Sequence, residues 1–349
     1  MPVTQALQRL LQRDLLTTPL PGWQPATSAS AIDVLRLDQL DPQLSGNKAF
    51  KLFGHVQQAE RQGITRLLSF GGPFSNHLHA LAALGARCGM ETTGVVRGYV
   101  DLPLTPTLQD CRDLGMTLIF ADKKTYARRY DPEYRQQLAA EHGAFVIGEG
   151  GSGGEDTEGN GSGEDEGAYG QVGCRWLVDG CRGYDQIWLA LGTGTTALGL
   201  ARALAGTRQS PAAGQYSGCQ VELQTQALPS PPLTSLPSQA ARLPMIVGVN
   251  VVADQGQRRR DWQRWMPNSR WRLLDDYHYG GFGKCPAELM QLIARYDALG
   301  LPLDPVYTAK LVSAFEHQYP LDPALSEQRV LLVHSGGLQG RRGYGLSFP

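Results

Sequence analysis

Short apolar runs that end in glycine alternate with longer segments of helical period along most of this chain, and that alternation restricts the fold to a parallel α/β sheet. Arg66-Leu67-Leu68-Ser69-Phe70 precedes a helical stretch from Ser75 to Cys88, and Thr93-Gly94-Val95-Val96 follows it. Met116-Thr117-Leu118-Ile119-Phe120 comes after a further helical stretch. The pattern resumes with Gln186-Ile187-Trp188-Leu189-Ala190-Leu191, a glycine-threonine loop, a helix over Ala197 to Leu204, a strand over Met245 to Val252 and a strand over Val330 to Val333. Such an order predicts two sheets, or one interrupted sheet.

Two segments break the pattern. Residues 151–167 are almost all Gly, Ser, Asp and Glu, and residues 207–244 are rich in Pro, Ser, Gln and Ala. Neither carries enough apolar surface to order itself, so both are expected to be exposed insertions. The acidic run has the oxygens of a cation site, but its glycines fix no ligand geometry, which favours a solvated insertion.

With 349 residues, 42% of them hydrophobic, the chain can bury a core large enough for two domains. Its 32 Lys+Arg against 33 Asp+Glu leave no global field of the kind that attracts nucleic acid. The six cysteines, Cys88, Cys111, Cys174, Cys181, Cys219 and Cys285, form no C-x-x-C pair and suit a reducing compartment. Met1 to Leu16 mixes Gln and Arg into its leucines at helical spacing, which fits a short amphipathic helix rather than a secretory segment. No stretch approaches the roughly 20 apolar residues of a membrane span. The expectation is a soluble, cytoplasmic protein acting on a small molecule.

Four constellations carry chemistry. In Ser45-Gly46-Asn47-Lys48-Ala49-Phe50-Lys51-Leu52 a glycine turn enters a helix whose first turn holds a lysine. The positive end of a helix lowers a lysine pKa from about 10.4 and helps an amine that must lose its proton to attack an aldehyde. Lys51, three residues on, is a rival for that role. In Phe70-Gly71-Gly72-Pro73-Phe74-Ser75-Asn76-His77 a strand ends in a glycine turn and Ser75-Asn76 open a helix. Both are common N-caps, and the same geometry forms a seat for a substrate carboxylate. His77 and His79 lie two apart on that helix and so face different ways, which argues against a metal site.

The third constellation is Leu191-Gly192-Thr193-Gly194-Thr195-Thr196-Ala197-Leu198-Gly199, after a strand and before a helix. As G-x-G-x-x-A it matches a dinucleotide fingerprint, but the acidic residue expected about 20 residues on would fall in the Pro/Ser-rich segment. Three threonine hydroxyls favour the alternative, a cup for a phosphate monoester at a helix N-terminus. The fourth gathers late in the chain: Tyr277-His278-Tyr279-Gly280-Gly281, Asp304-Pro305-Val306-Tyr307-Thr308 and Val333-His334-Ser335-Gly336-Gly337. Each sits on a turn or after a strand, where α/β enzymes collect site residues.

In this order the Gly-Asn-Lys helix start, the Gly-Gly-x-x-Ser-Asn turn, Glu149-Gly150-Gly151-Ser152, the Gly-Thr-Gly-Thr-Thr loop, Asp-Pro-Val-Tyr and His-x-Gly-Gly together resemble the aminocyclopropane-carboxylate deaminase and D-cysteine desulfhydrase family. The likeness runs from the Leu40 region to the carboxyl end, apart from the two insertions. It implies the tryptophan-synthase β-like, pyridoxal-phosphate-dependent fold: two three-layer α/β domains with parallel sheets. The large domain would take residues 1–50 and 168–349, and the small one residues 51–150. The resemblance also implies pyridoxal 5'-phosphate as cofactor and a homodimer.

Matched residue by residue, the resemblance makes Lys48 the Schiff-base lysine and places Asn76 beside the cofactor's ring hydroxyl. Ser75, Asn76 and His77 fall at the substrate, and Gly192, Thr193, Gly194, Thr195 and Thr196 form the phosphate cup. Tyr279 and Tyr307 stand over the substrate as candidate acids for a leaving group. Ring-opening deaminases carry Glu after Asp-Pro-Val-Tyr and Leu after the His of His-x-Gly-Gly, whereas this chain has Thr308 and Ser335. A hydroxyl at the pyridine nitrogen makes a weaker electron sink than a carboxylate does. That favours elimination of a good leaving group, as in a D-cysteine desulfhydrase, over 1-aminocyclopropane-1-carboxylate deamination. A protein that binds the cofactor or an amino acid without turnover is the non-enzymatic alternative.

Overall fold

The computed structural model describes residues 2–99, 103–152, 169–206, 243–266 and 269–348. The acidic insertion, except Gly151 and Ser152, and the Pro/Ser-rich insertion, except Leu243 and Pro244, lie outside the described residues.

Among the described residues ten strands form two sheets: β1 (Thr17–Pro19), β2 (Ala31–Arg36), β3 (Arg66–Gly71), β4 (Glu91–Arg97), β5 (Thr117–Ala121), β6 (Phe145–Ile147), β7 (Gln186–Leu191), β8 (Met245–Asn250), β9 (Trp271–Leu274) and β10 (Arg329–His334). The first sheet has the order β1-β2-β10-β7-β8-β9 and is parallel except for the edge strand β1. The second is wholly parallel, in the order β5-β4-β3-β6. The α/β architecture expected from the alternation is therefore present, with strands from both ends of the chain in the larger sheet. Among the described residues no helix is long and apolar enough to cross a membrane.

Side-chain alternation along β10 shows why the central strands are continuous apolar runs. Leu331 and Val333 join a core shared with the second sheet, while Val330 and Leu332 join a separate core on the opposite face. A parallel strand covered on both faces needs apolar residues at every position. In the smaller sheet Leu67 and Val96 face the shared core, whereas Leu68, Phe70 and Val95 face an outer one. The amino-terminal helix Val3–Leu11 buries Leu7, Leu10 and Leu11, the i, i+3, i+4 stripe of an amphipathic helix.

The helices that matter for the site start where strands or glycine turns end. They are Asn47–Arg61, Asn76–Cys88 after β3, Thr195–Gly206 after β7, and Thr308–Gln318. Their N-termini, with the loops after β6 and β10, converge at the carboxyl ends of the strands, where open α/β sheets bind ligands.

Candidate active site

A cleft lies at this convergence, bordered by Asn47, Lys48 and Lys51 from one helix, Asn76 from the next, Gly192, Thr193, Gly194 and Thr196 of the glycine-threonine loop, Tyr307 and Ser335. Its position depends on a close crossing of two glycine turns. Gly46 has φ +76°, and a Cβ there would lie 2.0 Å from the Ser335 carbonyl oxygen, while one on Gly336 would lie 2.5 Å from the Gly46 Cα. The Asn47 amide donates to that same Ser335 carbonyl at 3.0 Å. Only glycines allow the Lys48 helix to start directly against the end of β10. That strand end is held by His334, whose Nε2 donates to the Pro302 carbonyl at 2.7 Å and whose Nδ1 lies 3.2 Å from the buried Asp38 carboxylate.

Lys48 opens into the cleft with its Nζ 5.8 Å from the centre of the Tyr307 ring. Burial lowers its pKa to about 8, against the opposing pull of Asp304. Lys51 is placed differently, for its Nζ donates to Thr193 Oγ1 at 2.9 Å. The two lysines thus divide the cleft: Lys48 faces the aromatic ring and Lys51 faces the glycine-threonine loop. Lys51, the rival of Lys48 in the sequence, is thus engaged at the loop.

The loop itself is cross-braced. Thr193 and Thr195 hydroxyls lie 2.9 Å apart, Asn47 Nδ2 donates to Thr196 Oγ1 at 3.0 Å, and Arg258 donates to the Thr193 carbonyl from behind. Gly192, Thr193, Gly194 and Thr196 border the cleft, but Thr195 does not, its hydroxyl being spent on Thr193. Of the three threonine hydroxyls singled out from sequence, the residues of two border the cleft, at the start of a helix whose first amides lack intrahelical acceptors.

Ser75 caps its helix, accepting from the Leu78 amide at 3.2 Å, and does not itself border the cleft. Asn76 does, with its Oδ1 accepting from the Gly340 amide at 3.2 Å and its Nδ2 left toward Gly337. His77 departs from the expectation of substrate contact. It is buried and does not border the cleft, lying 2.8 Å from Ser69 Oγ, and burial together with the nearby Lys48 and Lys51 drives its pKa down, so it is a neutral packing residue. His79 instead lies 3.5 Å from Asp110 Oδ2, so the two histidines do not converge.

The late motifs are sorted in the same way. Tyr307 borders the cleft, and burial raises the pKa of its hydroxyl, so that it keeps its proton. Tyr279 turns away, with its hydroxyl 2.6 Å from Ser313 Oγ and no share in the cleft lining. The ring that flanks Tyr307 is Phe282, edge-on with centroids 5.7 Å apart. Thr308 is also absent from the lining: its Oγ1 donates to Asp304 Oδ1 at 2.8 Å and accepts from the Asp304 amide at 2.7 Å, closing the turn that carries Tyr307. Ser335 alone of the Thr308/Ser335 pair faces the cleft. Asn47 and Gly150, which also border the cleft, were quoted from sequence only as parts of motifs, and Phe282, behind Tyr307, was not singled out at all. Asn47 had one signal, its place between the glycine turn and the lysine.

The residues present fit pyridoxal phosphate. The lining offers an amine with lowered pKa, a second ammonium at a helix N-terminus suited to a phosphate dianion, and no acidic side chain. Glycines keep the lining residues close together, since a Cβ on Gly192 would be 3.1 Å from the Tyr307 ring and one on Gly337 2.5 Å from Asn76 Nδ2.

Comparison with known proteins agrees with this geometry. A family model described as pyridoxal-phosphate dependent enzyme matches residues 17–336. A Pyrococcus horikoshii protein with the provisional name 1-aminocyclopropane-1-carboxylate deaminase is 27% identical over 307 residues, covering 86% of this chain and 83% of its own. A D-cysteine desulfhydrase from Klebsiella pneumoniae is 25% identical over 353 residues, covering 95% and 96%. Among solved structures, an ACC deaminase homologue superposes with a TM-score of 0.68 at 21% identity over 99% of this chain and 98% of its own, and O-ureido-L-serine synthase superposes with a TM-score of 0.60 at 15% identity over 98% and 93%. These superpositions establish the tryptophan-synthase β-like fold, and with a family model spanning nearly all of both sheets and the cleft between them, the chain belongs to the pyridoxal-phosphate-dependent enzymes.

Proposed function

We propose that the protein is a lyase that performs α,β-elimination on a small amino acid bearing a β leaving group, with D-cysteine first, giving pyruvate, ammonia and sulfide. The reading rests on the charge of the cleft: two lysine amines, one tyrosine hydroxyl and no carboxylate among the lining residues. Lys48 would hold the cofactor through its amine. Lys51, Thr193, Thr196 and the helix amides would hold its phosphate, and Ser335 would meet its ring nitrogen. When bound, the cofactor supplies a ring that draws electron density from the substrate α-carbon, less strongly when a hydroxyl rather than a carboxylate faces its nitrogen.

The protein's own groups then divide the remaining work. Lys48, with a pKa of about 8, has enough neutral amine near pH 7 to take the α-proton. Asn76 offers its Nδ2 as donor, and the N-terminal amides of its helix, with Ser75 as their cap, seat the substrate carboxylate. The Tyr307 ring faces Lys48, and its hydroxyl, kept protonated by burial, would donate to the departing group. A thiolate, whose conjugate acid has a pKa of about 8.5, leaves with only that help. We further propose that residues 1–50 with 168–349 and residues 51–150 are the two bodies that flank the cleft.

The test is a panel of D- and L-amino acids with 1-aminocyclopropane-1-carboxylate, assayed on the cofactor-loaded protein for pyruvate, 2-oxobutyrate and sulfide. Equal pyruvate and sulfide from D-cysteine is the expected result. 2-Oxobutyrate from the cyclopropane alone would replace elimination with ring opening. Spectral shifts without any product would make the protein a binder.

A further inference from the structure

Lys310 is completely buried and lies outside the cleft. Its Nζ donates to three carbonyls, those of His278 and Gly281 at 2.9 Å and of Phe282 at 3.2 Å, which uses all the protons of an ammonium group. These carbonyls converge because the loop turns through left-handed backbone, with φ +54° at Tyr279, +87° at Gly280 and +144° at Gly281. At Tyr279 that conformation is unfavourable for a residue with a side chain, so something must hold the loop there. Lys310 sits in the first turn of the helix that Tyr307 precedes, and the Ser313 hydroxyl on the same helix lies 2.6 Å from the Tyr279 hydroxyl. On the other side the Tyr344 hydroxyl donates to the Gly283 carbonyl at 2.8 Å. The residue that emerges from the pinned loop is Phe282, half exposed, with its ring edge-on to Tyr307.

We propose that Lys310 is a positioning residue for the substrate pocket: its ammonium gathers the carbonyls of residues 278, 281 and 282 and thereby fixes Phe282 behind Tyr307, so that the Tyr307 ring keeps its place at the border of the cleft. Burying an ammonium is costly unless dipoles replace its water. Asp304 and the Cys285 thiol lie close enough to favour the charged form, against the burial that lowers the Lys310 pKa to about 8. A lysine kept charged in such a place acts as a tethered cation whose ligands are the loop itself. The idea rests on the reading of Tyr307 as a substrate-facing group, but its structural half can be tested without turnover.

Hydrogen exchange of the peptide spanning residues 277–285, read by mass spectrometry on the cofactor-loaded protein, gives that independent arm. Lys310→Met keeps the aliphatic stem and removes the charge, and is expected to speed exchange in this peptide about tenfold while peptides from β7 and β10 are unchanged. With D-cysteine, KM is expected to rise about tenfold with kcat changed less than twofold. In Lys310→Ala, added ethylammonium chloride is expected to restore both exchange and KM, whereas sodium chloride at the same ionic strength does not. Exchange that is unchanged, or faster everywhere, overturns the proposal, as does rescue by sodium chloride. Should the lysine variants not fold, Phe282→Leu decides, since the loop stays anchored and only the ring is lost. An unchanged KM there overturns the positioning role. Absence of turnover in the native protein would refute the substrate reading and leave the exchange and rescue arms to judge Lys310.

Discussion

Lys48 and Lys310 are both lysines whose pKa burial lowers to about 8, yet the cleft and the loop treat them in opposite ways. The cleft gives Lys48 an aromatic face at 5.8 Å and open volume, and among the described residues no hydrogen-bond acceptor is shown for its amine. The loop surrounds Lys310 with three carbonyls. An amine with no acceptor loses its proton at little cost and is free to react, whereas an amine bound by carbonyls is useful only while charged. A lowered pKa therefore identifies a buried lysine without saying what it does, and the partners decide.

The largest test of this contrast is Lys48→Ala. It is expected to abolish covalent capture of the cofactor, seen as loss of the visible absorbance band, and to lower turnover by at least about 1,000-fold. An undiminished band would show that another lysine is the attachment point. Tyr307→Phe comes next, with an expected loss of about 100-fold on D-cysteine, within the range of general acid catalysis. The loss should shrink with β-chloro-D-alanine, whose chloride needs no proton, and an equal loss on both substrates would remove Tyr307 from the role of acid.

Lys51→Met should weaken cofactor retention by about tenfold to a hundredfold, as expected for one charged contact to phosphate. Equilibrium dialysis against pyridoxal phosphate measures this, and unchanged retention would separate Lys51 from the phosphate. The smallest effect is on pH. Only neutral amine attacks an aldehyde, so the rate of cofactor capture should rise about tenfold from pH 7 to pH 9 and level off above the Lys48 pKa of about 8. A rate that kept climbing tenfold per pH unit to pH 10 would indicate an ordinary exposed lysine.

How much could be read in advance varied with burial. Strands β3, β7, β8 and β10 were legible because strands covered on both faces must be apolar throughout. β2 was not, since Ala31-Ile32-Asp33-Val34-Leu35-Arg36 places an aspartate mid-strand, where Tyr184 donates to it at 2.7 Å from a distant part of the chain. β6 has three residues and offers too short a period to detect. That Lys48, Asn76, Gly192 and Tyr307 would border one cleft was legible because glycine turns and helix starts reveal themselves locally. Tyr279 and Thr308 misled because their hydroxyls carry the right chemistry but point to Ser313 and Asp304. Phe282 passed unnoticed for the converse reason, having no polar atom to draw attention.

By itself the sequence determined the kind of residues available for chemistry: a lysine at a helix start, a glycine-threonine loop after an apolar strand, and hydroxyls at positions 308 and 335 where ring-opening deaminases carry Glu and Leu. Only the tertiary structure decided which of those groups meet. A motif sets residue types and a local turn, but the direction in which a side chain leaves that turn depends on contacts from remote parts of the chain. Gly46 against Ser335, Lys51 against Thr193 and Lys310 against the loop of Phe282 are such contacts, spanning both sheets and the loops between them.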